Sequence, residues 1–143
     1  MKNLANCTGR EFLAQSVKIK KAVKGWLDIT KVLEIRKKKP ADLPEVTEGM
    51  TEEEKKKVLN ERREKVLAQA YQNVEEMFDA VAEEHPDETL EVLALCCFIK
   101  PEEVDNYPMT YYLTSIREMA ENEDVKAFFS WLMRSGLMDT LTQ

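Results

Sequence analysis

Residues 51–84, TEEEKKKVLNERREKVLAQAYQNVEEMFDAVAEE, decide the fold class. Thr51 stands three residues before Glu54, the spacing at which an N-cap hydroxyl and a returning carboxylate satisfy each other's free backbone groups. Val58, Leu59, Val66, Leu67, Ala70, Tyr71, Val74, Met77, Phe78 and Val81 follow at near-helical spacing. One long helix over about 52–84 is expected, roughly 50 Å if continuous. Its polar middle turn, NERRE, predicts that the first two turns project beyond the core.

Working outward toward the N-terminus, the stretch from 37 to 50, KKKPADLPEVTEGM, is the convincing linker, because Pro40 and Pro44 disfavour helix at and before themselves. Ahead of it the chain predicts a helical pair. Thr8 and Glu11 form a second capping box, and Phe12, Leu13, Val17, Ile19 and Val23 continue the first helix to a break at Gly25. A second helix is expected from Leu27 to Lys38.

Toward the C-terminus, His85-Pro86 closes the long helix, and a nearly all-apolar helix is expected from Asp87 to Ile99. Pro101 and Pro108 bracket a turn-rich segment. A helix from Met109 to Glu121 follows, packing through Tyr112, Leu113, Ile116 and Met119. The final helix begins near Asn122 or Asp124 and ends at Gly136, placed as a C′ glycine. The expectation is an all-α protein of five to six helices. They form a single helical domain over 1–143, with a flexible linker at 37–50 between the N-terminal pair and the C-terminal bundle.

The totals agree with that class. The chain has 143 residues, 43% hydrophobic and 34% charged, with four glycines and five prolines, a balance that favours long helices over turn-rich β structure. Its net charge of −6 is unevenly spread. Residues 1–39 hold eleven Lys/Arg against three acids, a net +8, which leaves −14 for the rest. Opposite charges on two parts attract, within one chain or between copies, so a homo-oligomer assembled head to tail is one expectation.

Cys7, Cys96 and Cys97 do not make a secretory disulfide framework, and LALCCFI reads as buried core, so a reducing compartment is expected. Neither a signal-peptide run nor an apolar stretch of membrane-spanning length is visible, which predicts a cytoplasmic protein without membrane contact.

Catalytic chemistry finds little support. The lone histidine, His85, reads as a helix-ending residue, and one histidine cannot furnish the paired Glu-x-x-His motifs of a helical di-iron centre. Adjacent cysteines lack the gap of a redox pair and the ligand set of zinc. No glycine-rich phosphate loop is present. The expectation is a non-enzyme with no catalytic, cofactor-binding or metal-binding residues and no cofactor.

Contact surfaces are better marked. Setting Val125 at zero and turning about 100° per residue, Phe128, Phe129 and Leu132 fall in one stripe of about 100°, which reads as core. Trp131 and Met133 widen the apolar arc to about 200°, and Leu137 and Met138 continue beyond Gly136. Trp131, Met133, Leu137 and Met138 are therefore the candidate partner-binding residues. Lys18, Lys20, Lys21, Lys24, Arg36, Lys37, Lys38 and Lys39 form the candidate basic contact surface. Such a surface serves protein contact or nucleic acid; the acidic whole and the scarcity of interleaved aromatics favour protein.

EFLAQSVKIKKAVKGWLDITKVLEIRKKKP (11–40), EEHPDETLEVLALCCFIKPEEVDNYPM (83–109) and FFSWLMRSGLM (128–138) resemble small helical proteins of bacteriophage and prophage tail-gene clusters. The functional class is the tail assembly chaperone of long-tailed phages. That resemblance implies a non-enzymatic helical protein of the bacterial host cytoplasm, often oligomeric. It would bind the tape measure protein or other tail proteins during assembly and be absent from the finished virion. It fixes no individual binding residue. The alternative is a small helical nucleic-acid-associated or regulatory protein using the basic N-terminal segment.

Overall fold

The computed structural model describes the backbone of residues 2–142 and the side chains of residues 2–134. Among the described residues the protein is all-α. The helices, in order, are α1 (Gly9–Thr30), α2 (Val32–Arg36), α3 (Glu52–Phe78), α4 (Pro86–Cys96), α5 (Met109–Glu121) and α6 (Glu123–Thr142). A π-helix, Asp79–Glu84, extends α3, and a 3-10 helix, Pro101–Asn106, precedes α5. The number of helical pieces is thus slightly above the five to six expected.

Local chemistry explains the helix starts. The Thr8–Glu11 box is complete: the Glu11 N–H donates to Thr8 Oγ1 at 3.2 Å and the Thr8 N–H to Glu11 Oε1 at 3.1 Å. Thr51 accepts from the Glu54 N–H at 3.2 Å, and the Asn122 carboxamide accepts from the Val125 N–H at 3.0 Å. Each cap satisfies a donor that an uncapped helix leaves orphaned.

Several boundaries depart from expectation. α1 runs straight through Gly25 to Thr30, and the break falls at Lys31, held left-handed at φ 57°. One glycine inside a helix costs only about 1 kcal/mol, which neighbouring turns absorb. α2 is correspondingly short. The long helix is α-helical only to Phe78; the wider π turns follow, closed by the His85 N–H donating to the Ala80 carbonyl at 3.1 Å. α4 stops at Cys96 in a Schellman ending: Ile99 N–H bonds the Ala94 carbonyl at 2.9 Å while Phe98 is left-handed at φ 55°. α6 continues past Gly136 to Thr142.

The chain divides into two compact units, one of residues 1–26 with 87–143, the other of residues 27–86. In the first, Ala94, Cys97, Ile99 and Tyr112 form the core, with Leu90, Leu93, Val104, Tyr107 and Tyr111 packed around them. The Tyr112 hydroxyl donates to the Val104 carbonyl at 2.8 Å. Gln15 on α1 donates to the Leu95 carbonyl at 2.6 Å, Trp26 Nε1 to Thr89 Oγ1 at 2.9 Å, and buried Asn3 to Glu118 at 2.9 Å. Leu113, expected in this packing, is exposed.

The second unit is built on α3. α2 packs along it, and residues 38–44 run back beside it in the opposite direction. Asn73 Nδ2 donates to the Lys38 carbonyl at 3.0 Å, Lys65 to the Asp42 carbonyl at 3.0 Å, and Arg62 to the Pro44 carbonyl at 3.4 Å. Pro40 and Leu43 line the seam with Val66 and Ala70.

Candidate functional site

Two apolar surfaces stand out, each the product of a helix with more apolar face than its neighbours cover, together with basic residues in each unit.

The first lies on α6. Val125 is buried and Phe128 half-buried; Phe12 of α1 meets Phe128 edge-on at 5.0 Å between centroids and Phe129 at 6.2 Å. Phe128 in turn lies 6.5 Å from Trp131. Trp131 and Met133 are exposed, at 58% and 70%. Phe129 and Leu132, assigned by their spacing to the core, are also exposed. The structure therefore brings four apolar side chains to the open part of α6. Leu137 and Met138 lie outside the residues whose side chains are described.

A second surface escaped the sequence reading. On α3, Leu67, Tyr71, Val74 and Phe78 are spaced 4-3-4, which confines them to an arc of about 60°. All four are exposed, Tyr71 at 73% and Phe78 at 70%. α2 and the 38–44 strap occupy the opposite side, where Asn73 and Ala80 are buried. Their periodicity reads equally well as a core face; only the position of the strap shows which of the two faces is covered.

The basic residues divide between the two units. Lys18, Lys20, Lys21 and Lys24 are exposed along α1 in the first unit. Arg36, Lys37, Lys38 and Lys39 are exposed at the end of α2 and beyond it, in the second. Lys38 is tied to Glu76 at 2.7 Å. An open groove of about 410 Å³ within the second unit is lined by Ile29, Lys31, Glu34, Lys38, Glu76 and Asp79, among others. Its alternating charges suit a polar peptide better than a single anion or cation.

Reactive side chains are differently placed. Burial pushes the Cys96 thiol up to about 11, so it stays protonated at neutral pH. The Cys97 thiol is raised by burial and drawn back by the Ser115 hydroxyl. His85 closes the π-helix through its backbone, as a helix-ending residue does. Among the described residues no group of three or more His, Cys, Asp or Glu is placed to hold a metal ion, and no helix is long and apolar enough to cross a membrane.

Comparison with protein-family models, curated proteins and solved structures returned no match for this chain.

Proposed function

We propose that this protein is a non-enzymatic binding protein of the tail assembly chaperone type, acting on the tape measure protein of a long-tailed phage or on another tail protein. The observation that carries the reading is the open apolar surface of α6, where Phe129, Trp131, Leu132 and Met133 are all exposed on a chain of net charge −6. Exposed Trp and Met are anchoring and adaptable contacts, and they suit a long apolar helical client that would otherwise aggregate. The family resemblance of residues 11–40, 83–109 and 128–138 supplies the identity of the client.

Co-expression with tape measure and tail tube proteins, followed by co-purification, tests this reading. Trp131→Asp and truncation after Gly136 should each weaken client recovery while leaving the rest of the fold intact. Undiminished recovery with both variants removes α6 as the client surface.

A second reading, a nucleic-acid-associated protein, draws on the exposed Lys18, Lys20, Lys21 and Lys24. It requires retention of DNA or RNA that weakens steeply with salt. Retention absent at low ionic strength disposes of it.

A further inference from the structure

Lys38 lines two grooves of the second unit, and they differ in charge. One is the mixed-charge groove described above. The other, about 340 Å³, opens along the seam between α3 and the 38–44 strap. That volume falls in the range of small-ligand sites, roughly 300–1,000 Å³. Its charged lining residues are Arg36, Lys38, Lys39 and Arg62, with no carboxylate among the described residues that line it. The two segments that enclose it, 36–44 and 62–73, carry seven basic and two acidic side chains, a net +5 on a chain of net −6. The two acids, Asp42 and Glu64, are exposed and do not line the groove.

Partners within the chain answer only part of this charge. Lys38 is neutralised by Glu76 at 2.7 Å. Arg62 gives one N–H to the Pro44 carbonyl at 3.4 Å, which leaves most of its five donors. Among the described residues, the side chains of Arg36 and Lys39 enter no ion pair or hydrogen bond. Cations sharing one groove repel one another, yet the bonds from Asn73 and Lys65 to strap carbonyls hold both walls in place. The fold thus assembles the charges before any anion arrives. Pro40, Leu43 and Val66 add apolar surface beside them. A strand of nucleic acid is held by bases stacked on aromatic side chains, and the described lining has none.

We infer that this groove binds a small organic phosphate, a diphosphate joined to a flat or apolar body. Arg36, Lys39 and Arg62 take the phosphates, and Pro40, Leu43 and Val66 take the body. Three cations exceed what a single carboxylate neutralises and suit phosphate, each terminal group carrying about −1.5 to −2 near pH 7. The forked guanidiniums of Arg36 and Arg62 match paired phosphate oxygens, and Lys39 adds a point charge. No residue of this site belongs to the client surface on α6, so phosphate binding and client recovery fail separately.

Isothermal titration of the full chain with ADP, pyrophosphate and adenosine at low salt tests the inference, with amide chemical shifts locating the site. ADP should bind more tightly than either part alone, shift residues 36–43 and 62–73, and weaken as salt screens the charges. Arg36→Gln/Lys39→Gln should lower ADP affinity about fivefold or more, the sum of two exposed charge contacts. Both sites are exposed and unbonded, so folding is spared, and circular dichroism checks it. Lys20→Gln/Lys21→Gln, with the same change in net charge, should leave affinity unaltered. Val66→Ser should weaken ADP several-fold and leave pyrophosphate unchanged. Absence of ADP binding at millimolar concentration, equal losses from the two double variants, or pyrophosphate binding as tightly as ADP would each overturn it. So would a short oligothymidylate that binds at the same residues more tightly than ADP, which would make the groove a strand surface.

Discussion

Tyr112 and Tyr71 are the same residue in opposite surroundings, at 1% and 73% exposure, and replacing each by alanine measures what the two units depend on. Removing a large aromatic side chain from a packed interior costs about 3–5 kcal/mol. The hydroxyl bonded to the Val104 carbonyl accounts for about 1 kcal/mol of that, so Tyr112→Phe should cost about 1 and Tyr112→Ala about 4. Tyr71→Ala should cost less than about 0.5 kcal/mol, because alanine is the better helix former and little contact is lost within the chain. Urea titration at low protein concentration is the assay, since association of the native state would otherwise add stability by mass action. Far-UV circular dichroism follows both units. Fluorescence of Trp26 and Trp131, both in the unit that holds Tyr112, follows that unit alone. A Tyr71→Ala cost equal to that of Tyr112→Ala under dilute conditions would refute the reasoning, by showing that the outer face of α3 is packed within a single chain.

Further outcomes are expected. Gly25→Ala should stabilise by about 0.5–1 kcal/mol, because the added methyl meets open space in the middle of α1; a loss of stability in thermal melts would contradict this. Lys31→Gly should stabilise by up to about 1 kcal/mol and Lys31→Val should destabilise, since a β-branched side chain is strained at φ 57°. Thr8→Ala should cost about 1 kcal/mol in denaturant midpoints through loss of the α1 cap. Cys96 ionises near 11 in the folded chain against an ordinary 9.0, so the unfolded chain loses its proton first. The stability from the buried neutral thiol is complete below pH 9 and is lost as pH rises through 11, at most about 3 kcal/mol. Cys96→Ala should flatten the fall in the urea midpoint over that window, and an unchanged slope would count against it.

Much was legible in the chain because local chemistry is written locally. The capping pairs at Thr8 and Thr51 and the α5 span from Met109 to Glu121 needed only spacing, and the Ala94–Ile99 core needed only residue type. Where the reading went astray, a small local cost was overruled from elsewhere. Gly25 reads as a breaker, yet the turns around it carry the helix to Thr30, and the break falls at Lys31, a residue with no signature of a left-handed position. The spacing that buries Val125 and Phe128 also turns Phe129 and Leu132 inward, but both are exposed.

Propensity, capping and periodicity act over a few residues, so the all-α class, the helix starts, the split charge and the supply of apolar faces are all written locally. Which faces are covered depends on segments distant in the chain. Periodicity places Val66 and Ala70 on one side of α3 and Leu67, Tyr71, Val74 and Phe78 on another without ranking them. The carbonyls of Lys38, Asp42 and Pro44, held by Asn73, Lys65 and Arg62, settle which side the strap occupies and so which side is left to meet something else.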